Sequence, residues 1–197
     1  MLGFREKTTY PFIYLELASQ YSTGHGTGCV CGSGAGIMYH VRRKDKEIVD
    51  IDEMKKVLKL TKYVTLALCK DNEPYLVTLS PGYDGKNDCI YFHCANEGKK
   101  TDYLKTNNTV WGQALIDHGY AEGKCNHPYT SVHFKGKATF IENIDEKLEA
   151  VKCMMRQLEK NPEPMIARIK PERLKNTAIG KIEIEYMSGK KPEESSN

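Results

Sequence analysis

The residues best suited to chemistry in this chain are in the run CIYFHCANEGKK, residues 89–100. A β-forming stretch ends in His93, and a loop closing on Gly98 delivers Lys99 and Lys100 to the start of a helix. Such a terminus favours an anion. Its first amides have no partner within the helix, the helix dipole adds positive potential, and two ammonium groups supply charge-assisted hydrogen bonds. A solvated lysine pair opening a surface helix explains the same residues, and local sequence leaves both readings open. His93 adds an imidazole that can donate or accept a proton near neutral pH.

Other reactive residues form weaker patterns. His118, Cys125, His127 and His133 lie close in sequence, but without paired-ligand spacing they predict no metal site. Cys29 and Cys31 lack a second pair. The stretch 21–36 (YSTGHGTGCVCGSGAG) is glycine-rich, yet no strand precedes it and no helix follows, so it is not read as a dinucleotide loop. Trp111 and Tyr120 are expected to pack the fold rather than to shape a pocket.

The elements that must hold these residues follow from pattern. Asp50 caps a short amphipathic helix, with Glu53 three positions on and Met54, Val57, Leu58 and Thr61 on one side. Strands are expected at 63–69 and 75–80 around a turn at 71–74. A second turn, 81–88, leads to a strand at 89–94, which together predicts a three-stranded meander. A helix at 99–106 stops at Asn107-Asn108, and longer strands follow at 109–116 and 130–141. Leu148, Val151, Met155 and Leu158 define the buried face of a helix over 145–160, ended by Pro162 and Pro164. Residues 178–187 alternate as a final strand, and a loose tail is expected from Ser188. Six strands with inserted helices predict a mainly β (α+β) fold, an antiparallel Greek-key barrel with peripheral helices.

Composition bounds the rest. The 197 residues suffice for one core, over 38–190, preceded by a flexible extension at 1–37 and followed by a disordered tail at 191–197. With 29 basic and 26 acidic residues, and no basic stripe, nucleic acid is not an expected partner. An odd count of seven cysteines, mostly within apolar runs, suits reduced thiols in the cytoplasm. The apolar stretch 10–18 is interrupted by Glu16 and is too short to span a bilayer, so no membrane association is expected.

Taken together, Arg42-Arg43-Lys44-Asp45 ahead of a helix, the run from Tyr63 to Lys100, Asn107-Asn108, Cys125, SVHFKGKA at 131–138, Ile182-Glu183-Ile184 and Gly189-Lys190 resemble the nitroimidazole-resistance branch of the pyridoxamine 5′-phosphate oxidase-like family. The resemblance covers residues 38–190. It implies a six-stranded FMN-binding split barrel that dimerises through its sheet, with two FMN molecules at the interface and both chains contributing to each. Tyr75, Leu76, Val77 and Thr78 then match the strand lining the flavin. Phe92 and His93 match its neighbour, Lys99 and Lys100 the phosphate-binding turn, and Ser131 a position that carries glutamine in the oxidases. Tyr75 stands where the oxidases have a phosphate-holding arginine, which shifts the expected load to the lysines. Cys125 resembles a position near the mouth of the active site.

The resemblance assigns His93 a place beside the flavin, as a catalytic residue or as a hydrogen-bonding partner only. The oxidases' arginine- and histidine-bearing C-terminal segment has no counterpart here, which argues against pyridoxamine-phosphate oxidation. The expected activity is FMN-dependent reduction of a small organic acceptor such as a nitro compound, the cofactor carrying the redox chemistry. No nicotinamide fingerprint identifies an electron donor. A flavin-binding or redox-sensing protein without turnover, and a barrel that uses haem or deazaflavin, are the alternatives.

Overall fold

The computed structural model describes residues 41–193. The expected extension at 1–37 and the tail beyond 193 lie outside the described residues. Among the described residues there are eight strands: β1 Glu47–Ile48, β2 Val64–Lys70, β3 Glu73–Leu79, β4 Gly82–Asp84, β5 Cys89–Cys94, β6 Thr109–Asp117, β7 Tyr129–Phe140 and β8 Ala178–Lys190. The helices are α1 Ile51–Leu60, α2 Lys99–Thr106, α3 Ile144–Leu158 and the single turns α4 Glu163–Ile166 and α5 Pro171–Leu174. Pairing is antiparallel throughout, in the order β3-β2-β6-β7-β8-β5-β4, with β1 added to β8. The ends, β3 and β4, do not pair with each other, so the curved sheet stays open, as a split barrel requires.

The interior collects Leu66, Phe92, Val110, Phe134 and Ile182, each fully buried, under the buried face of α1. Asp50 caps α1 by accepting from the Asp52 amide at 2.9 Å. Glu53 does not close the box and instead takes Lys191 Nζ at 3.0 Å. A two-residue turn with Asp71 and Asn72 both at positive φ joins β2 to β3, the geometry that matches strand twist. Strand β3 therefore starts at Glu73, two residues before the expected position, and Pro74 is tolerated because β3 is an edge strand.

The expected meander is not formed. Strand β5 pairs with β8 and β4, not with β3. Cys89, Ile90, Tyr91 and Phe92 are all buried, so β5 needs cover on both faces, whereas β3 is mostly exposed. The outer side of β5 is covered by α3, through Ala150 and Met154. The buried ridge of α3 is thus Lys147, Ala150 and Met154, with Leu148, Val151 and Met155 half-buried beside it. Small Ala150 and flexible Met154 permit a close approach to β4. Lys147 is satisfied by the carbonyls of Leu174, at the end of α5, and Thr177, just before β8, at 3.2 and 2.8 Å. Helix α3 ends at Leu158, ahead of Pro162 and Pro164, which open α4. The loose tail predicted from Ser188 is also corrected, because β8 continues to Lys190 by pairing with Ser131 of β7 and Glu47 of β1.

Phe92 has no room to spare. A Cβ on Gly180 would lie 2.1 Å from its ring, so glycine is required where β8 crosses it. Among the described residues no helix is long and apolar enough to cross a membrane.

Candidate functional site

Gly98, at φ +134°, turns the chain from β5 into α2; this region is open to glycine and strained for other residues. The first-turn amides of α2 are left without intrahelical acceptors. Lys99 leans back onto β3: its Nζ lies 3.2 Å from Glu73 Oε1, 4.8 Å from the centre of the Tyr75 ring and 5.3 Å from that of Tyr103. The two rings meet edge to face at 5.3 Å. Hydrogen bonding to Glu73 raises the Lys99 pKa, and Lys99 in turn holds the Glu73 carboxyl below its usual range. Burial raises the Tyr103 pKa. The structure thus joins the sequence candidates Tyr75 and Lys99 through Glu73, a residue that sequence reading assigned to a turn. Lys100 is half-buried and has no acidic partner among the described residues.

The remaining candidates divide by strand alternation. Tyr75 and Val77 pack towards the interior and Phe92 is wholly within it, so their side chains support the wall. Leu76, Thr78 and His93 are exposed. Register aligns an outward polar row across five strands, Thr78, Thr65, Gln113, His133 and Ser188. Thr65 and Thr78 hydroxyls are 3.2 Å apart, and Gln113 Nε2 is 2.9 Å from His133 Nε2. The adjacent row is Leu76, Ala67, Trp111, Lys135 and Tyr186. There Leu76 is 67% and Trp111 46% exposed, and Trp111 meets Tyr186 at 5.9 Å. Trp111 therefore does not pack the barrel interior as expected. Tyr120 is exposed too, edge-on to His127 at 6.0 Å. A tryptophan between Val110 and Gly112 on a strand carried the signal, since alternation places it opposite the buried Val110.

Ser131 lies beside a cavity of about 460 Å³ that Gln113, Leu115, Tyr129 and His133 also line. Burial, and secondarily Lys190, lowers the His133 pKa, favouring the neutral ring. His127 Nε2 lies 2.8 Å from Asp117 Oδ1, and His118 Nε2 lies 2.8 Å from Thr130 Oγ1. The Gly119 amide, followed by His127, depresses the Asp117 pKa. Each histidine thus has its own partner, and no group of three ligating side chains forms a metal site among the described residues. Cys125 is exposed at φ +48°, in the loop bearing His127.

One chain does not unite all the candidates. Lys99 reaches β3 and Lys100 follows it in α2, while Ser131 is on β7, with β2 and β6 intervening. The donors do suit a flavin mononucleotide phosphate: Lys100 and the α2 amides are available to it, and the Leu76–Trp111 row offers apolar surface outside.

The family described as pyridoxamine 5′-phosphate oxidase matches residues 50–191. The fold is similar to that of a Bacteroides thetaiotaomicron protein named for 5-nitroimidazole antibiotic resistance. Identity is 25%, the TM-score is 0.63, and the match covers 73% of this chain and 85% of that one. A flavocytochrome of Azotobacter vinelandii shares the fold at 18% identity and a TM-score of 0.64, over 78% and 72% of the two chains. So does an FAD- and haem-binding protein of Mycobacterium smegmatis, at 15% identity and a TM-score of 0.64, over 76% and 74%. No curated protein sequence matches.

Proposed function

Since the chain belongs to the pyridoxamine 5′-phosphate oxidase family, we propose that it is a cytoplasmic, homodimeric FMN-dependent oxidoreductase that reduces a small organic acceptor such as a nitro compound. The observation that carries this reading is the division of the candidate residues into two half-sites, one where α2 meets the inner side of β3 and one on the outward face of β7. Lys99 and Lys100 stand at one and Ser131 at the other, three strands away. A site built from two copies needs such a division. The exposed Leu76, Trp111 and Leu115 give the face an apolar surface for a second copy to cover. The similarity at 25% identity to a protein named for nitroimidazole resistance supports the choice of acceptor. The five free cysteines among the described residues suit a reducing compartment.

When bound, FMN would supply the two-electron chemistry. Lys100 and the α2 amides would neutralise its phosphate, with Lys99 held in reserve by Glu73. Leu76 and Thr78 would lie along its edge, and the Leu76–Trp111 row would exclude water. His93, exposed at the end of β5, would donate a proton from its ring nitrogen to the reduced acceptor.

The test is the absorption spectrum of the purified protein, with the released cofactor identified by mass, for the wild type and for Lys100→Ala. Near-stoichiometric FMN in the wild type, lost in the variant and reoxidised faster by nitro compounds than by dioxygen alone, supports the reading. A wild type that cannot be loaded with FMN overturns it, and a Soret band would assign haem instead.

A further inference from the structure

The Ser131 cavity does not end at His127, Tyr129 and Lys190. The same three residues line a second cavity of about 690 Å³ beneath the 118–128 loop. The two are adjoining compartments of unlike chemistry. The first presents Leu115, Tyr129 and the imidazole of His133. The second is lined by Arg42, Arg43, Lys46, Lys124, Lys190 and Lys191, against one carboxylate, that of Glu193.

Pairing leaves this excess partly uncompensated. Arg43 and Lys46 turn to Glu193, at 2.6 and 3.7 Å, and Lys191 holds Glu53 at 3.0 Å. Arg42, Lys124 and Lys190 have no carboxylate partner among the described residues. Asp117, the acid facing the junction, is occupied by His127 and by the Gly119 amide at 2.7 Å. The rim is held in place: the His118 amide donates to the Pro128 carbonyl at 3.1 Å, and that of Ala121 to Asn126 at 2.8 Å. Lys124 therefore projects from a braced loop, and Lys190 from a strand paired on both sides. Lys190 lines both compartments, and after burial, the larger cause, it contributes to the lowered His133 pKa in the first.

We propose that the acceptor is a small planar organic molecule bearing an oxyanion, its ring in the Ser131 compartment and its anionic group among Arg42, Lys124 and Lys190. This rests on the oxidoreductase reading above and narrows it, since a neutral nitro compound would leave the basic compartment unused. The interaction is geometric and electrostatic and needs no further cofactor.

The experiment is calorimetric binding to the FMN-loaded protein of three nitrophenyl probes, the isosteric pair 4-nitrobenzoate and neutral 4-nitrobenzamide and the bulkier 4-nitrophenyl phosphate. The probes are compared at low and high salt, for the wild type and for Arg42→Gln/Lys124→Gln, whose two residues line only the basic compartment. Two or three uncompensated charges a few ångströms from the anion predict a preference of roughly tenfold for the anionic probes at low salt. That preference should shrink at high salt and in the double variant, while binding of the amide stays unchanged and shows the variant to be folded. Tighter binding of the phosphate or of the carboxylate identifies which oxyanion is preferred, and either supports the proposal. Equal binding of benzoate and amide by the wild type, or a preference that survives in the double variant, overturns it. Reoxidation of reduced flavin by the same probes is followed separately: anion-selective binding without reoxidation would refute the oxidoreductase reading, whereas reoxidation by all three without selectivity would refute only this one.

Discussion

The Lys99 ammonium is clasped by Glu73, Nζ to Oε1 at 3.2 Å, while lying over the Tyr75 ring at 4.8 Å. The lysine that opens α2 is thus already partnered, whereas the next lysine has no acidic partner among the described residues. Phosphate binding at this turn should divide unequally between them.

Replacing Lys100 by alanine should weaken FMN binding more than replacing Lys99, by roughly tenfold or more for loss of a charge-assisted contact. Titration of flavin fluorescence against each single variant measures the difference. Equal losses would show that Glu73 does not restrain Lys99.

Glu73→Gln should tighten FMN binding a few-fold, because it frees Lys99 and removes a like charge beside the phosphate. Hydrogen bonding to Lys99 depresses the Glu73 pKa. The pair's contribution to stability is therefore complete above the ordinary glutamate pKa and fades as pH falls through the depressed value. The pair is exposed, so melting temperatures of wild type and variant should differ little at neutral pH.

His133 titrates with the opposite charge. Its lowered pKa means that the unfolded chain binds a proton that the folded chain resists. Stability should thus be fully present above the ordinary imidazole pKa of about 6.5 and decline as pH falls through the lower folded value. His133→Gln should flatten that part of a melting-temperature profile; an unchanged slope would place the acid sensitivity elsewhere.

Gly180→Ala places a methyl group 2.1 Å from the Phe92 ring. Overpacking at a core position costs about 1–3 kcal/mol, and urea midpoints would register it directly. A change below about 0.5 kcal/mol would mean that Phe92 relaxes freely.

Trp111→Glu, at the centre of the outward apolar row, should convert a dimer to a monomer in sedimentation. FMN should be lost with it if, as proposed, each site draws on both chains. A monomeric wild type would defeat that premise.

How much of this was legible in the sequence depends on the length over which a pattern could repeat. Strand β5 and helix α2 fall where the CIYFHC and KKTDYLKT runs put them. Strands β1 and β4, two and three residues long, have no period to read. The neighbours of β5 were misassigned because hairpin logic rewards proximity in sequence, whereas pairing was decided by the need to bury both of its faces. The Lys99–Glu73 contact joins residues far apart in sequence, and nothing local to either announces it. Trp111 shows the other failure: an aromatic residue on a strand looks like core until its register is known.

Strand β8 stands between two parts of the sheet that otherwise share no pairing, β3-β2-β6-β7 on one side and β5-β4 on the other, and it also carries β1. Among the described residues it follows every other strand, so on the ribosome β5 must wait, both sides of it apolar, until residues 178–190 have emerged. Folding of this part of the sheet is thereby postponed until residues 178–190 are available, and the nascent protein is most dependent on chaperones while β5 waits for them.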